Sequence, residues 1–353
     1  MEETMPIIQH LIVDEFGAFI GKHSERIIVT KGEQKLTQAP LVHLESILIA
    51  SSGVSLSADA IRECTQRGIP IFFVSGSGSP YAALYSAGLT GTIATRRAQL
   101  RAYDTTLGLD MALAMGSGKL QNQANLLKYI AKYRKETQPT LYEELRRTAL
   151  EIEDQLVELA QYRTLPEFRE GSLTVEAVRD QLLGIEGRAA ERYWSAVTQI
   201  LPEKYAFPGR LRRGAADPVN SALNYGYGIL YGQIERALVL AGLDPYAGFL
   251  HADRPGKPSM TLDFIEEFRA VVVDRTIFGM ANRGIPFAQD EDNRLSKDFR
   301  RQLAEAILNR LESSVEYENK RHLLRNVIQI QARHLAACLR GERPAYQPFT
   351  LAW

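Results

Sequence analysis

The chain has 353 residues, carries 42 Lys and Arg against 42 Asp and Glu, and is 45% hydrophobic and 24% charged. This is the composition of an ordinary globular protein long enough for two domains. The zero net charge excludes a small, overtly basic nucleic-acid module and an acidic tail protein. Two cysteines, Cys64 and Cys338, are too few for a disulfide framework or a zinc site and are expected to be buried apolar filler. The acidic start MEETMPIIQH has no long apolar core, and no run approaches the roughly 20 apolar residues of a membrane span. A soluble, cytoplasmic protein with no membrane partner is expected.

The first 88 residues read as β-rich. Ile27–Thr30, Ser46–Ile49 and Ile69–Val74 are short β-branched runs bounded by Lys31-Gly32 and Ser51-Ser52-Gly53. Leu11–Val13 and Ala18–Ile20 flank Asp14-Glu15-Phe16-Gly17, which predicts a hairpin. A short helix is predicted from an N-cap at Ser57, through Ala60-Ile61 and Cys64, to a stop near Gly68. Gly76–Pro80 is expected to be a loop; it lacks the Lys-Ser/Thr of a phosphate-binding P-loop.

From about residue 92 the period becomes helical. Leu145, Ala149, Ile152, Leu156 and Leu159 form one amphipathic stripe, and Val175, Val178, Leu182, Ile185, Ala189 and Tyr193 a second. Leu223, Tyr227, Leu230, Ile234 and Leu238 make a third, Ile265, Phe268 and Val272 a fourth, and Asp298 to about Leu339 reads as two more helices. The expected class is α+β multidomain: a small β-rich N-terminal domain, 1–91, followed by a larger all-α domain, 92–353. The tail Arg343–Phe349 is expected to dock on its own chain or a partner.

The balanced charge is uneven along the chain. Residues 1–88 carry net −3, 89–135 net +6, 136–191 net −7 and 192–353 net +4. Arg96, Arg97 and Arg101, then Lys119, Lys128, Lys132, Arg134 and Lys135, are spaced to track a phosphate backbone. Arg210, Arg212 and Arg213 form another cluster, and Lys320, Arg321, Arg325, Arg333, Arg340 and Arg343 a third. The DNA-contact candidates are Arg96, Arg97, Lys128, Lys132, Arg210, Arg212, Arg213, Lys257 and Arg269. Solvated helix faces are the plain alternative.

Three places carry charge or polarity where the pattern asks for neither. Glu186 lies beside an apolar stripe with Gly184 and Gly187 on either side, and a carboxylate held there needs a cation or a donor. The alternative is an edge glutamate paired with Arg188 or Arg192. His251 follows the apolar turn Gly248-Phe249-Leu250. Asp263 and Glu266, three residues apart, fall on one helix face about 4.5 Å apart along the axis. Carboxylates with one imidazole suit Mg²⁺ or Mn²⁺, although such a trio also arises by chance.

The order and wording of these segments resemble CRISPR-associated protein one. The resemblance rests on Gly184-Ile185-Glu186-Gly187 with Ala189-Ala190 and Tyr193-Trp194, on Asp217–Tyr227, on Leu250-His251, and on Leu262-Asp263 through Glu266-Glu267-Phe268-Arg269 with Asp274-Arg275. Pro40-Leu41, Val54–Ser57 and Gly68–Ile71 resemble that family's β-domain, and Lys119–Gln123 with Leu126-Leu127 its first long helices.

The resemblance implies a metal-dependent DNA endonuclease and integrase that inserts captured DNA fragments into a CRISPR array by transesterification at a 3′-hydroxyl. It implies that Glu186, His251 and Glu266 are catalytic and ligate Mg²⁺ or Mn²⁺. Glu266 stands where the family often has aspartate, which lengthens the arm. Asp263 matches an accessory acid, and Asn220 lies in a motif beside the family's site; as a sequence feature Asn220 reads equally well as a helix N-cap. The implied partners are DNA, a second copy through the β-domain, and the small CRISPR-associated protein two. The rival readings are a non-catalytic DNA-end-binding scaffold of the same fold and a helical protein with no DNA role.

Overall fold

The computed structural model describes residues 8–85, 92–211 and 216–352, so residues 86–91, where the predicted domain boundary falls, lie outside the described residues. The N-terminal elements are β1 (His10–Val13), β2 (Phe19–His23), β3 (Arg26–Lys31), β4 (Gln34–Pro40), β5 (Ser46–Ile49), β6 (Ser55–Leu56), α1 (Ala58–Gln66), β7 (Ile71–Val74) and β8 (Pro80–Leu84). The helical part has α2 (Thr92–Tyr103), α3 (Thr106–Lys132), α4 (Pro139–Gln161), α5 (Pro166–Arg169), α6 (Val175–Ile200) and α7 (Pro218–Leu240). It continues with α8 (Ser259–Phe264), α9 (Glu266–Arg269), α10 (Arg275–Asn282), α11 (Lys297–Leu311), β9 (Ser314–Tyr317), β10 (Lys320–Leu323) and α12 (Leu324–Leu339). The class is therefore α+β, a small strand-rich part followed by a larger helical one.

Two four-stranded sheets form the N-terminal part, in the orders β1-β5-β7-β8 and β4-β3-β2-β6. Strands β1, β5 and β7 run parallel, an arrangement that wants apolar residues on both faces, and HLIV, SILI and IFFV supply them. Leu11, Val13, Ile47, Ile49 and Ile71 turn to a core shared with Ile20, Ile27 and Val29 of the second sheet and Cys64 of α1. Ile12, Leu48, Phe72 and Val74 turn the other way, into the core of the helical part. One sheet thus serves as a wall between two cores.

The predicted hairpin around Asp14–Gly17 does not form. Strand β1 pairs with β5 while β2 pairs with β3, so this turn carries the chain from one sheet to the other. The reason is burial: Leu11, Ile12 and Val13 are all covered, and a strand covered on both faces belongs inside a sheet with parallel neighbours. Helix α1 begins as predicted, with the Ser57 hydroxyl accepting the Ala60 N–H at 3.1 Å.

The stripe residues of α4 and α6 are buried, except that Leu156 is only partly covered. The predicted fourth helix is interrupted: α8, α9 and α10 follow one another with a π-helical turn at Ala270–Asp274. Between α11 and α12 lies the β9–β10 hairpin, which the periodicity did not reveal. Ion pairs tie the two parts together: Arg325 grips Glu45 at 2.5 and 3.0 Å, Arg301 reaches Asp14 at 3.2 Å, and Lys297 pairs with Glu15. Cys64 and Cys338 are buried free thiols, and burial pushes the Cys64 thiol up to about 11. Among the described residues no helix is long and apolar enough to cross a membrane.

Candidate active site

The site is built around α3, which is buried along most of its length and touches α4, α6 and α9. Glycines on α3 let its neighbours come close. A Cβ at Gly116 would stand 3.2 Å from Glu186 Oε1, so the small residue leaves room for that carboxylate. Glu186, buried on α6, accepts a hydrogen bond from Lys119 Nζ of α3 at 2.9 Å. Glu266 of α9 reaches the same ammonium at 3.3 Å and takes a second cation, Arg269 Nη1, at 2.5 Å. Burial disfavours the charge of Glu266, yet Arg269 and Lys119 outweigh it and hold the carboxyl below its usual range. Burial likewise opposes charge on Lys119, but Glu186 and Glu266 prevail, and its ammonium is held more firmly than an ordinary lysine's.

Asp263 has a different task. Its Oδ2 accepts the N–H groups of Phe249 and Leu250 at 2.6 and 3.0 Å, and its Oδ1 accepts the His251 N–H at 3.0 Å. The same Oδ1 lies 2.6 Å from His251 Nδ1. With Nδ1–H donating there, Nε2 carries the lone pair, which is how a carboxylate sets a ligating imidazole. Gly248 permits this wrap: a Cβ there would lie 2.8 Å from Asp263 Oδ2 and 2.6 Å from the Ser259 carbonyl carbon. Glu186, His251, Asp263 and Glu266 line one small cavity with Met115 and Leu250.

Outside it opens a cleft of about 610 Å³ whose wall includes Lys119, His251, Glu266, Arg210, Lys257 and Arg269. Two guanidiniums approach the Tyr227 ring, Arg210 at 5.4 Å and Arg269 at 5.0 Å from its centroid. Its hydroxyl donates to Asp274 Oδ1 at 2.5 Å while Tyr193 donates to Oδ2 at 2.7 Å, so the π-helical turn delivers a buried carboxylate beneath the cleft. Burial raises Asp274 to about 6. Ser77–Ser79 of the β7–β8 loop and Pro80 at the start of β8 complete one wall.

Of the predicted DNA-contact residues, Arg210, Lys257 and Arg269 line this cleft. Arg212 and Arg213 lie outside the described residues. Lys128 and Lys132 border a separate surface groove with Lys135 and Arg146, where Lys128 pairs with Glu153 at 2.5 Å. Arg96 and Arg97 sit on α2, away from both linings. Lys119 departs from the expectation of a surface phosphate contact: it is only 8% exposed and committed to two carboxylates.

Glu186 pairs with Lys119, whereas Arg188 and Arg192 turn to Glu158 and Glu151 on α4. The cap of α7 is Asp217, not Asn220. Asn220 is instead buried in the first turn, where its Oδ1 accepts from Arg210 and from the Leu211 N–H, both at 2.9 Å. The tail docks on its own chain. Tyr346 donates to Glu267 Oε1 at 2.6 Å, the Phe349 N–H to Oε2 at 2.8 Å, and Asn122 clasps Phe349 and Leu351.

Whether these residues suit a divalent cation can be judged from the donors themselves. Among the described residues no group of three or more His, Cys, Asp or Glu is gathered tightly enough to hold an ion. Two buried carboxylates nevertheless converge on one positive charge, the Lys119 ammonium, beside an imidazole whose Nδ1 is already engaged. Two carboxylates on a cationic position, with an imidazole lining the same small cavity, are donors of the kind that suit Mg²⁺ or Mn²⁺.

The family model for CRISPR associated protein Cas1 matches residues 11–309. The CRISPR-associated endonuclease Cas1 1 of Archaeoglobus fulgidus is 36% identical over 354 residues, spanning 97% of this chain and 99% of that relative. Among solved structures, a casposase bound to integration product superposes with a TM-score of 0.79 at 22% identity, over 96% of this chain and 93% of that one. A chain of a Cas6-RT-Cas1–Cas2 complex gives 0.73 at 21% identity, over 98% of this chain and 37% of that one.

Proposed function

The chain belongs to the Cas1 family, and on that premise we propose that it is a divalent-metal-dependent DNA endonuclease and integrase acting in the cytoplasm, which inserts captured DNA fragments into a CRISPR array. The observation that carries the reading is the meeting of Glu186 and Glu266 on one cation, next to an imidazole fixed by Asp263, at the base of a cleft rimmed by Arg210, Lys257 and Arg269.

Glu186, His251 Nε2 and Glu266 would hold Mg²⁺ or Mn²⁺. When bound, such an ion supplies Lewis-acid polarisation of a phosphate and neutralises charge on its oxygens. The reaction exchanges one phosphodiester for another: an incoming 3′-hydroxyl oxygen bonds to phosphorus, and the 3′-oxygen of the cut strand departs. In hydrolysis water replaces the hydroxyl. No covalent protein nucleophile is needed. Asp263 keeps the imidazole in one tautomer, and Arg210, Lys257 and Arg269 hold the flanking phosphates so that attacking and leaving oxygens are aligned. Asn220 serves by fixing Arg210.

DNA and Cas2 are proposed as partners, in keeping with the casposase and Cas1–Cas2 neighbours. Pairing of two copies through the β-rich part is supported by Phe16, Phe19, Val42 and Tyr81, large apolar side chains left exposed there.

The test is strand transfer and cleavage of branched DNA in Mn²⁺. Glu186→Ala and His251→Ala should each abolish turnover while leaving salt-dependent DNA binding in place. Turnover that survives both substitutions refutes the site; a wild-type protein that binds DNA ends but never cuts or joins them is the scaffold of the rival reading.

A further inference from the structure

The two carboxylates meet on Lys119, and among the described residues they are the ion-pair partners of its ammonium. It is carried on α3 between Gly118, packed under Pro348 and Glu267, and the apolar Leu120, in a helix whose 111–127 segment holds no other charge. Lys119 also borders the 610 Å³ cleft. Glu186 and Glu266 with Lys119 and Arg269 make a charge-neutral set of four. Adding a divalent ion to that set would leave two like charges competing for the same oxygens, and they repel strongly at contact distance.

We propose that Lys119 is the built-in counter-ion of this site: its ammonium holds Glu186 and Glu266 together while no divalent ion is bound, and swings into the cleft when one binds, there to contact a phosphate of the DNA. The inference deepens the proposed function and rests on it. Lys119 does two jobs with one charge. It keeps paired buried carboxylates from repelling each other in the resting protein, and it delivers a cation to the cleft when the ion takes over that duty. The resting site is thereby made reluctant toward metal, because an ion must first displace the lysine.

The measurement is Mn²⁺ binding to the full chain, followed by the loss of the free-ion paramagnetic resonance signal and by the Mn²⁺-induced rise in melting temperature. Lys119→Met removes the charge at similar length; Lys119→Gln, which keeps hydrogen bonding, serves should the methionine variant not fold without metal. Both variants are expected to bind Mn²⁺ at least tenfold more tightly than wild type and to gain more melting temperature on its addition. At saturating Mn²⁺ their strand transfer should fall tenfold or more. Equal or weaker Mn²⁺ binding by the variants overturns the counter-ion role. Saturable binding in none of the proteins overturns the metal-site reading itself, and this inference with it.

Discussion

Asp274 offers a test of the electrostatics beneath the cleft. Its carboxyl is wholly buried, accepts two tyrosine hydroxyls, and has Arg210 and Arg269 nearby. Burial wins over all four and lifts it from 3.8 to about 6. A carboxyl whose folded value exceeds its unfolded one binds more protons in the native state. Its contribution to stability is therefore greatest below about pH 4, falls as pH rises to about 6, and stays lost above that. The rise corresponds to roughly 3 kcal/mol.

Asp274→Asn cannot titrate, yet its amide can accept from one tyrosine and donate to the other. Urea denaturation of wild type and variant should be compared at unit intervals from about pH 4 to 7. Groups common to both proteins cancel in the difference. The wild type should lose about 2.5 kcal/mol relative to the variant across that range. A difference that stays flat or grows in the wild type's favour would mean that the tyrosines and arginines outweigh burial, and the reasoning would be wrong.

Gly248→Ala forces a methyl against Asp263 and the Ser259 backbone; it should cost about 1–3 kcal/mol and remove turnover by displacing His251, with DNA retention on filters unchanged. Tyr346→Phe deletes the hydroxyl that Glu267 accepts in the core and should lower stability by about 1–3 kcal/mol, read as a drop in melting temperature. Arg210→Ala should weaken DNA binding on all sequences alike and reduce the slope of log affinity against log salt by about 1.

The helical stripes and Glu186 were legible because a charge beside an apolar face breaks a pattern that has a definite period. The flanking glycines were less informative: a Cβ at Gly187 would touch nothing within 4 Å, so it is room on the outside of α6, not close packing within, that they leave. Strand β4 was hidden by its composition, since QKLTQAP is an outer strand in which Ala39 alone is buried. The β9–β10 turn uses Glu318 and Asn319 at positive φ where Asn-Gly would have announced it. Lys119 was read as one of a basic run because spacing counts charges and does not see what surrounds them. The available signal was its isolation, a single charge in the otherwise uncharged stretch 111–127. Asp263 showed its proximity to Glu266 in the sequence, but its grip on three backbone N–H groups depends on a loop that only the fold brings back.

The sheet that divides the two cores also reaches the cleft. Its β7–β8 loop lays Ser77–Ser79 along one wall, and Gly78 meets α7 backbone to backbone: a Cβ on Gly228 would fall 1.5 Å from the Gly78 carbonyl oxygen. No cushion of side chains lies between loop and helix at that point, so the joint has little play. The loop and the helix that meet there both line the cleft, through Ser77–Ser79 on one side and Asn224, Tyr227, Gly228 and Tyr231 on the other. The strand-rich part is therefore a component of the cleft and not only its mounting: a side chain added at Gly78 or Gly228 would push the cleft's two sides apart.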